Sequence, residues 1–379
     1  MKLAFVSNFM NHHQRPLSLA LAETPGVDYR FVATEPFTGF GVSAGYRDMN
    51  KEDDFILRPY ESEEQKKEAL AFCRDADVVI IGSAPDEYIK DRLKENKLTF
   101  RYYERFFKAG KWRILDPRVL LSCYRHHTRY RNKNLSMLCA SAYTAPDCKF
   151  IRAYPGKTYK WGYFPAVPSL DADDVIAQKN REKLSILWAG RLIDLKHPEE
   201  ALAVAKHLKD RGVELTLTMR GNGPLLDPMK ETAKALGVEE FVSFPGATSP
   251  EEIQNEMRKS DIFLFTSDQH EGWGAVLNES LSNCCAVVAR KQIGSVPFLI
   301  EDGKNGLVYG EKNGKTLFDC VDQLANDVNL RKKLQANAYR TMKDEWCAEQ
   351  AAKRLLALIE ALQSGKETPF LSGPCSRAE

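Results

Sequence analysis

Short apolar runs alternate with longer stretches in which apolar positions return every three to four residues, and this rhythm holds along nearly the whole chain. In the first half the runs at 2–8, 29–33, 55–59, 77–82, 98–103 and 135–140 predict strands. Helices fit between them, for example 63–73 with its Glu/Lys-rich outer face. Strands that are apolar throughout belong to parallel sheets covered on both faces by helices. The rhythm breaks from Thr158 through Trp161-Gly162-Tyr163-Phe164-Pro165 to Pro168, a stretch of Gly, Pro and aromatic residues that predicts a domain boundary. It restarts at Ser185-Ile186-Leu187-Trp188-Ala189, with further strands expected at 214–219, 241–244, 262–266, 286–289 and 306–309, and helices at 197–210, 224–236, 250–259 and 274–284.

The expected fold class is therefore α/β: two Rossmann-like doubly wound domains, 1–165 and 166–345, facing across a cleft with ligands held at the carboxyl ends of strands. Within 346–379, Ala351, Leu355, Leu358 and Leu362 recur at helical spacing beside Ala352, Leu356 and Ile359. That stripe predicts a helix packing back on the first domain. Residues 365–379, polar with Gly and Pro, read as a loose tail.

A length of 379 residues accommodates two domains, and 43% hydrophobic with 28% charged residues excludes a disordered or fibrous chain. No apolar run approaches the ~20 residues that span a bilayer. Met1-Lys2-Leu3-Ala4-Phe5-Val6-Ser7-Asn8 reads as a strand, too short for a signal-peptide core, so a cytoplasmic location is expected. The nine cysteines, an odd number with no Cys-x-x-Cys, read as free thiols.

Net charge is +2, but its distribution is uneven: 27 Lys/Arg face 20 Asp/Glu in residues 1–165, and 27 face 32 in 166–379. Within 101–133, Arg101, Arg105, Lys108, Lys111, Arg113, Arg118, Arg125, Arg129, Arg131 and Lys133 oppose only Glu104 and Asp116, with aromatics interleaved. This pattern fits peripheral contact with an anionic membrane on its inner face, a lipid-phosphate acceptor, nucleic acid, or a plain solvated face. No nucleic-acid binding is expected at physiological salt.

The densest chemistry follows the strand at 262–266, in Thr266-Ser267-Asp268-Gln269-His270-Glu271-Gly272-Trp273-Gly274-Ala275-Val276-Leu277-Asn278-Glu279. Its glycines permit a tight turn, and the first amides of the helix after it attract an anion such as a diphosphate. Glu271 and Glu279 can accept hydrogen bonds from polyol hydroxyls. Singly, each is also what a helix cap or a surface charge looks like. Upstream, Arg191 ends a buried strand in Gly190-Arg191-Leu192-Ile193-Asp194-Leu195-Lys196-His197-Pro198, and Lys196 precedes the helix opened by Pro198. Two cations there can hold a diphosphate and offset the charge it gains on leaving, or be a structural Arg and a solvated Lys. Gly221-Asn222-Gly223-Pro224 is by itself only a strand-to-helix turn.

Together these motifs resemble a retaining GT-B-fold glycosyltransferase of family 4, among the glycosyl transferases group 1. The match continues through Ser282-Asn283-Cys284-Cys285-Ala286-Val287-Val288-Ala289, Gly294-Ser295-Val296-Pro297 and Ile300-Glu301-Asp302-Gly303-Lys304-Asn305-Gly306-Leu307, so 185–310 carries it. The resemblance implies that Arg191 and Lys196 grip the diphosphate of a nucleotide-sugar donor, with Gly221, Asn222 and the amides of Gly274, Ala275 and Val276 nearby. It implies that Glu271 takes hydroxyls of the transferred sugar and Glu279 those of the ribose. In the first domain the chain departs from the family: Asn8-Phe9-Met10-Asn11-His12-His13-Gln14-Arg15-Pro16 stands where many members have a glycine-rich loop. His13 and Glu104 are the candidates there for touching the acceptor or the reacting sugar.

The expected activity is transfer of a sugar to a hydroxyl of a saccharide or lipid-linked acceptor, in surface polysaccharide or glycolipid assembly. The competing readings are a nucleotide-sugar epimerase or hydrolase of the same fold, and an inactive membrane-associated scaffold. No cofactor beyond the donor substrate and no metal are expected. Asp171-Ala172-Asp173-Asp174 imitates a metal-binding Asp-x-Asp but lies away from every predicted strand end.

Overall fold

The computed structural model describes residues 1–37, 47–179, 183–310 and 314–379. It divides into two compact units, Met1–Ala166 with Trp346–Glu379, and Val167–Glu345.

The first unit is built on a parallel sheet of β1 (Lys2–Ser7), β2 (Asp28–Ala33), β3 (Ile56–Leu57), β4 (Val78–Ile81), β5 (Thr99–Tyr103), β6 (Leu135–Cys139) and β7 (Thr158–Lys160). Their spatial order is β3-β2-β1-β4-β5-β6-β7. The second unit has β8 (Leu184–Ala189), β9 (Leu215–Arg220), β10 (Val242–Gly246), β11 (Ile262–Phe265), β12 (Ala286–Arg290) and β13 (Leu307–Tyr309) in the order β10-β9-β8-β11-β12-β13. Central strands are apolar throughout because helices cover both faces: all of β4 and all of β11 is buried. In each sheet the strand order reverses once, between β1 and β4 and between β8 and β11. At such a switch point the loops leaving the carboxyl ends diverge and open a crevice.

One sequence reading changes and two gain structural detail. The run at Thr158, read as a domain boundary, also supplies β7, which pairs Met137 with Thr158 at the sheet edge. Three residues among Gly, Pro and aromatics are too few to show a strand period. The tail is not loose. The Lys160 amide donates to Ser376 O (2.8 Å), Cys375 N to Lys160 O (2.7 Å) and Ala378 N to Thr158 O (3.0 Å), so the tail runs antiparallel along β7. Its polar composition hides this because backbone groups make the pairing. The acidic run at 171–174 is a helix cap: the Asp171 carboxylate accepts from the amides of Asp173 (2.9 Å) and Asp174 (3.1 Å) at the start of helix Ala172–Gln178.

Helix Ala348–Gln363 buries Ala351, Ala352, Leu355, Leu358 and Ile359 and packs on helix Arg15–Ala22 of the same unit. The nine cysteines are free and buried. Among the described residues no helix is long and apolar enough to cross a membrane.

Candidate functional site

At the switch point of the second unit, the loops leaving β8 and β9 run together. Gly190 N donates to Arg220 O and Leu192 N to Asn222 O, both at 3.0 Å. The approach needs glycine at 221: its φ is +133°, and a Cβ there would lie 1.8 Å from Gly190 O. The chain then makes a short 3₁₀ turn, Asp194–Lys196, passes through left-handed His197, and enters helix Pro198–Asp210 with proline in its first turn.

The loop leaving β11 is stitched to that turn. The Thr266 hydroxyl donates to Lys196 O (2.6 Å) and accepts from the Trp188 indole (2.9 Å), and Asp268 N donates to Leu195 O (3.0 Å). The Asp268 carboxylate accepts from His270 N (2.8 Å) and faces His197 Nε2 (3.3 Å). Burial opposes its ionisation, but the bonds from His270 and His197 outweigh it and hold Asp268 below the usual aspartate range.

This stitching brings Lys196 and Glu271 together. The ammonium donates to Glu271 Oε2, and each side chain is only 15% exposed. Lys196 is therefore not the solvated lysine that its sequence context also allowed. Beside the pair, Gly274 has φ +80°, and a Cβ on it would lie 2.3 Å from the Phe265 ring and 3.2 Å from Glu271 Cγ. Trp273 is fully buried and donates its indole N–H to Asn278 Oδ1 (2.8 Å), pinning the turn to helix Val276–Ser282, for which Ala275 is the N-cap. The first-turn amides of a helix have no partner within it. Glu279 projects from that helix, and loss of water around its carboxyl pushes it up to about 7. Arg191 is exposed at the end of β8, next to Gly190, whose Cβ position is 3.8 Å from Lys196 Cδ. Asn222 sits at the end of β9, taking part through its carbonyl.

In the first unit a cavity of about 660 Å³ opens at the carboxyl ends of β1, β4 and β5 and is lined by His13, Ser83, Glu104, Lys108 and Tyr163 among others. Glu104 accepts from the Tyr163 hydroxyl (2.8 Å) and from Lys108 Nζ (2.5 Å). The His13 ring stacks on Tyr163 with centroids 5.6 Å apart. Burial first, then neighbouring His12, hold the His13 imidazole well below its usual range, so it is neutral at pH 7. Such a pocket offers a neutral imidazole, a carboxylate and a phenol to a polar ligand.

Residues 171–341 match the family model described as Glycosyl transferases group 1. The second unit is a domain of that family. The likeness to two curated proteins covers less than half of the chain. Alpha-D-kanosaminyltransferase of Streptomyces kanamyceticus is 28% identical over 153 residues, covering 40% of this chain and 39% of that protein. A Campylobacter jejuni protein, N-acetylgalactosamine-N,N'-diacetylbacillosaminyl-diphospho-undecaprenol 4-alpha-N-acetylgalactosaminyltransferase, is 31% identical over 192 residues, 48% of this chain and 50% of that one. The chain thus spans half or less of the length of these relatives. Over the whole chain the likeness is one of fold. Anabaena HepE, solved with UDP and glucose, superposes with a TM-score of 0.65 at 14% identity, covering 96% of this chain and all of that one. WaaG, a glycosyltransferase involved in lipopolysaccharide biosynthesis, gives 0.58 at 14% identity, covering 93% and 98%. The fold is GT-B, two Rossmann-like units in one chain.

Around the group 1 domain's candidate site, sequence reasoning passed over Thr266 and Asp268 as individuals. Their signal was position, at the carboxyl end of a buried strand. Tyr163 and Lys108 gave no signal, because only the fold brings them beside His13 and Glu104.

Proposed function

We propose that the protein is a retaining glycosyltransferase that moves a sugar from a nucleotide-diphosphate sugar to an acceptor hydroxyl. The observation that carries this reading is the Lys196–Glu271 pair, held beside the glycine turns at 221 and 274 where β8 and β11 diverge. It offers a cation for a diphosphate and a carboxylate for sugar hydroxyls within one seat. In this reading Lys196 and Arg191 grip the diphosphate, aided by the amides from Gly274 to Val276. Glu271 takes hydroxyls of the transferred sugar and Glu279 those of the ribose. As the bond from the sugar to the diphosphate breaks, negative charge builds on the leaving oxygens, and fixed cations stabilise it without moving. An oxocarbenium-like sugar is then attacked by the acceptor hydroxyl on the face the diphosphate leaves, its proton passing to the departing diphosphate oxygen, so the configuration is retained. Because protein cations supply the neutralising charge, no divalent ion is required, and turnover in EDTA should equal turnover without it.

The acceptor is a saccharide or a lipid-linked saccharide, in glycolipid or polysaccharide assembly, met by the His13 and Glu104 cavity. The likeness to the Campylobacter jejuni transferase named for a diphospho-undecaprenol substrate and to WaaG supports this choice. Peripheral contact with an anionic membrane on the cytoplasmic side is compatible with this reading and independent of it.

A thermal-shift screen against nucleoside diphosphates and their sugars tests the proposal, since a ligand that binds only the folded state raises its melting temperature. One base should stand out, and labelled donor should then pass to acceptor. No response to any nucleotide would refute donor binding. Free or altered sugar without acceptor would turn the reading to a hydrolase or epimerase.

A further inference from the structure

We propose that helix Pro117–His126 and the turn before it form a docking face for the surface of an anionic lipid bilayer. The charge count pointed to 101–133 as a whole, but the structure narrows it: Arg101 is buried in β5 and donates to Asp86 Oδ1 (2.7 Å), so it faces no membrane. What is exposed is apolar as well as basic. Trp112 is 66% exposed, Leu115 81%, Leu120 54%, Leu121 44% and Tyr124 56%. At ~100° per residue, Pro117, Leu120, Leu121 and Tyr124 share one side of the helix. The residue it buries, Cys123, lies on another, so the apolar arc faces away from the unit's core.

Arg118 and Arg125 border the arc beside Leu121, and Lys111 and Arg113 flank Trp112, all four exposed. The acid within this stretch is already engaged: Asp116 caps the helix through Arg118 N (2.9 Å) and binds the Arg118 guanidinium (3.0 Å). The indole is held outward by a local device. Gly110 has φ +101°, and a Cβ there would lie 2.7 Å from Trp112 Cδ1, so the ring rests over bare glycine. Large apolar side chains gathered in water with a cationic border match the boundary between anionic headgroups and acyl chains. That charge complementarity selects a bilayer over a neutral partner.

The helix that carries the face also borders the cavity. Arg113 and Val119, on the docking turn and helix, line the same cavity as His13 and Glu104. Val119 is on the side of the helix away from the apolar arc, so a bilayer on the arc lies one helix width from the cavity, within reach of a saccharide on a lipid-anchored acceptor. That last step rests on the proposed function; the docking face does not.

Co-sedimentation with phosphatidylcholine vesicles, with and without phosphatidylglycerol, tests the inference. Binding should require phosphatidylglycerol, weaken with salt, and fall about fivefold in Arg125→Ala and further in Arg118→Ala/Arg125→Ala. The Leu115→Ser/Leu120→Ser variant should bind more weakly while melting at the wild-type temperature. Trp112 is the exposed tryptophan, the other four being 2% exposed or less, so a blue shift of emission on vesicles reports on it and should vanish in Trp112→Phe. Equal binding to both vesicles, a blue shift that survives Trp112→Phe, or binding to polyglutamate as tight as to vesicles would overturn the docking face. Loss of vesicle binding with an intact nucleotide response overturns this inference alone. Vesicle binding without any nucleotide response supports it and overturns the function instead.

Discussion

Lys196 and Glu271 stand 75 positions apart in the chain and form a hydrogen-bonded ion pair at the switch point of the second sheet. Each keeps the other in place before any ligand arrives. In the proposed reading a diphosphate entering the seat would compete with Glu271 for the ammonium, and hydroxyls of the sugar would replace the ammonium on Glu271. Lys196→Ala and Glu271→Ala should each lower kcat/KM by about 10²–10³-fold. Because the two act as a unit, the double variant should fall well short of the product of the single effects. Initial rates with labelled donor measure all three. Multiplicative losses would mean that the pair does not work as one group.

The close approach of the loops after β8 and β9 makes a second expectation. Gly221→Ala combines a positive φ with an obstructing backbone oxygen, whereas Gly303 has φ +78° and open space around its Cβ position. Gly303→Ala should cost about 1–2 kcal/mol for the left-handed backbone alone. Gly221→Ala should cost about 1–3 kcal/mol more, because the strand ends must separate. Urea titrations of the two variants side by side read the difference, and equal midpoints would show that the loops yield freely.

These glycines also show what sequence can and cannot convey. The strands were legible because a buried parallel strand is apolar at every position, as Val78–Ile81 and Ile262–Phe265 are. Arg191, Lys196 and Glu271 stood out as candidates because they follow such strands within a few positions. The pairing of β7 with the tail was not legible, since backbone groups make it across more than 200 residues, as Ala378 N and Thr158 O do. The docking helix was half legible: its charges could be counted, but only the fold shows that Leu120, Leu121 and Tyr124 lack a covering element. Within the motif from Glu271 to Glu279, the positive φ that calls for glycine falls at Gly274.

Glu279 carries a pH expectation. Its carboxyl, pushed up to about 7 by burial, is mostly protonated at pH 6 and mostly ionised at pH 8. The ionised form has more acceptor capacity for ribose hydroxyls, so nucleotide affinity should rise about tenfold over that interval. In Glu279→Gln this contribution should disappear, leaving only the nucleotide's own titration. The linkage for stability has the opposite sense. A carboxyl that holds its proton more tightly when folded makes the fold less stable as pH rises from its ordinary value of 4.5 to about 7, and adds nothing further above that. Calorimetric titrations of both proteins at several pH values separate the two effects, and parallel curves would exclude Glu279 from the nucleotide.

The tail gives the last expectation. Cys375 and Ser376 are fully buried, and Thr158 adds a side-chain bond to Ala378 O (2.8 Å) to the three backbone bonds that tie the tail to β7. At about 1 kcal/mol for each bond, with the lost burial of Cys375 added, deleting 367–379 should cost about 4–6 kcal/mol. That is a large share of the ~5–15 kcal/mol that holds a domain folded. The deletion also bares the outer edge of β7, and an unpaired edge strand is a template for joining another chain. The truncated protein should therefore unfold at lower urea and elute partly as aggregate in size-exclusion chromatography. A tail that merely trailed in solvent would leave both readings unchanged, so an unaltered midpoint would restore the loose tail that its composition implies.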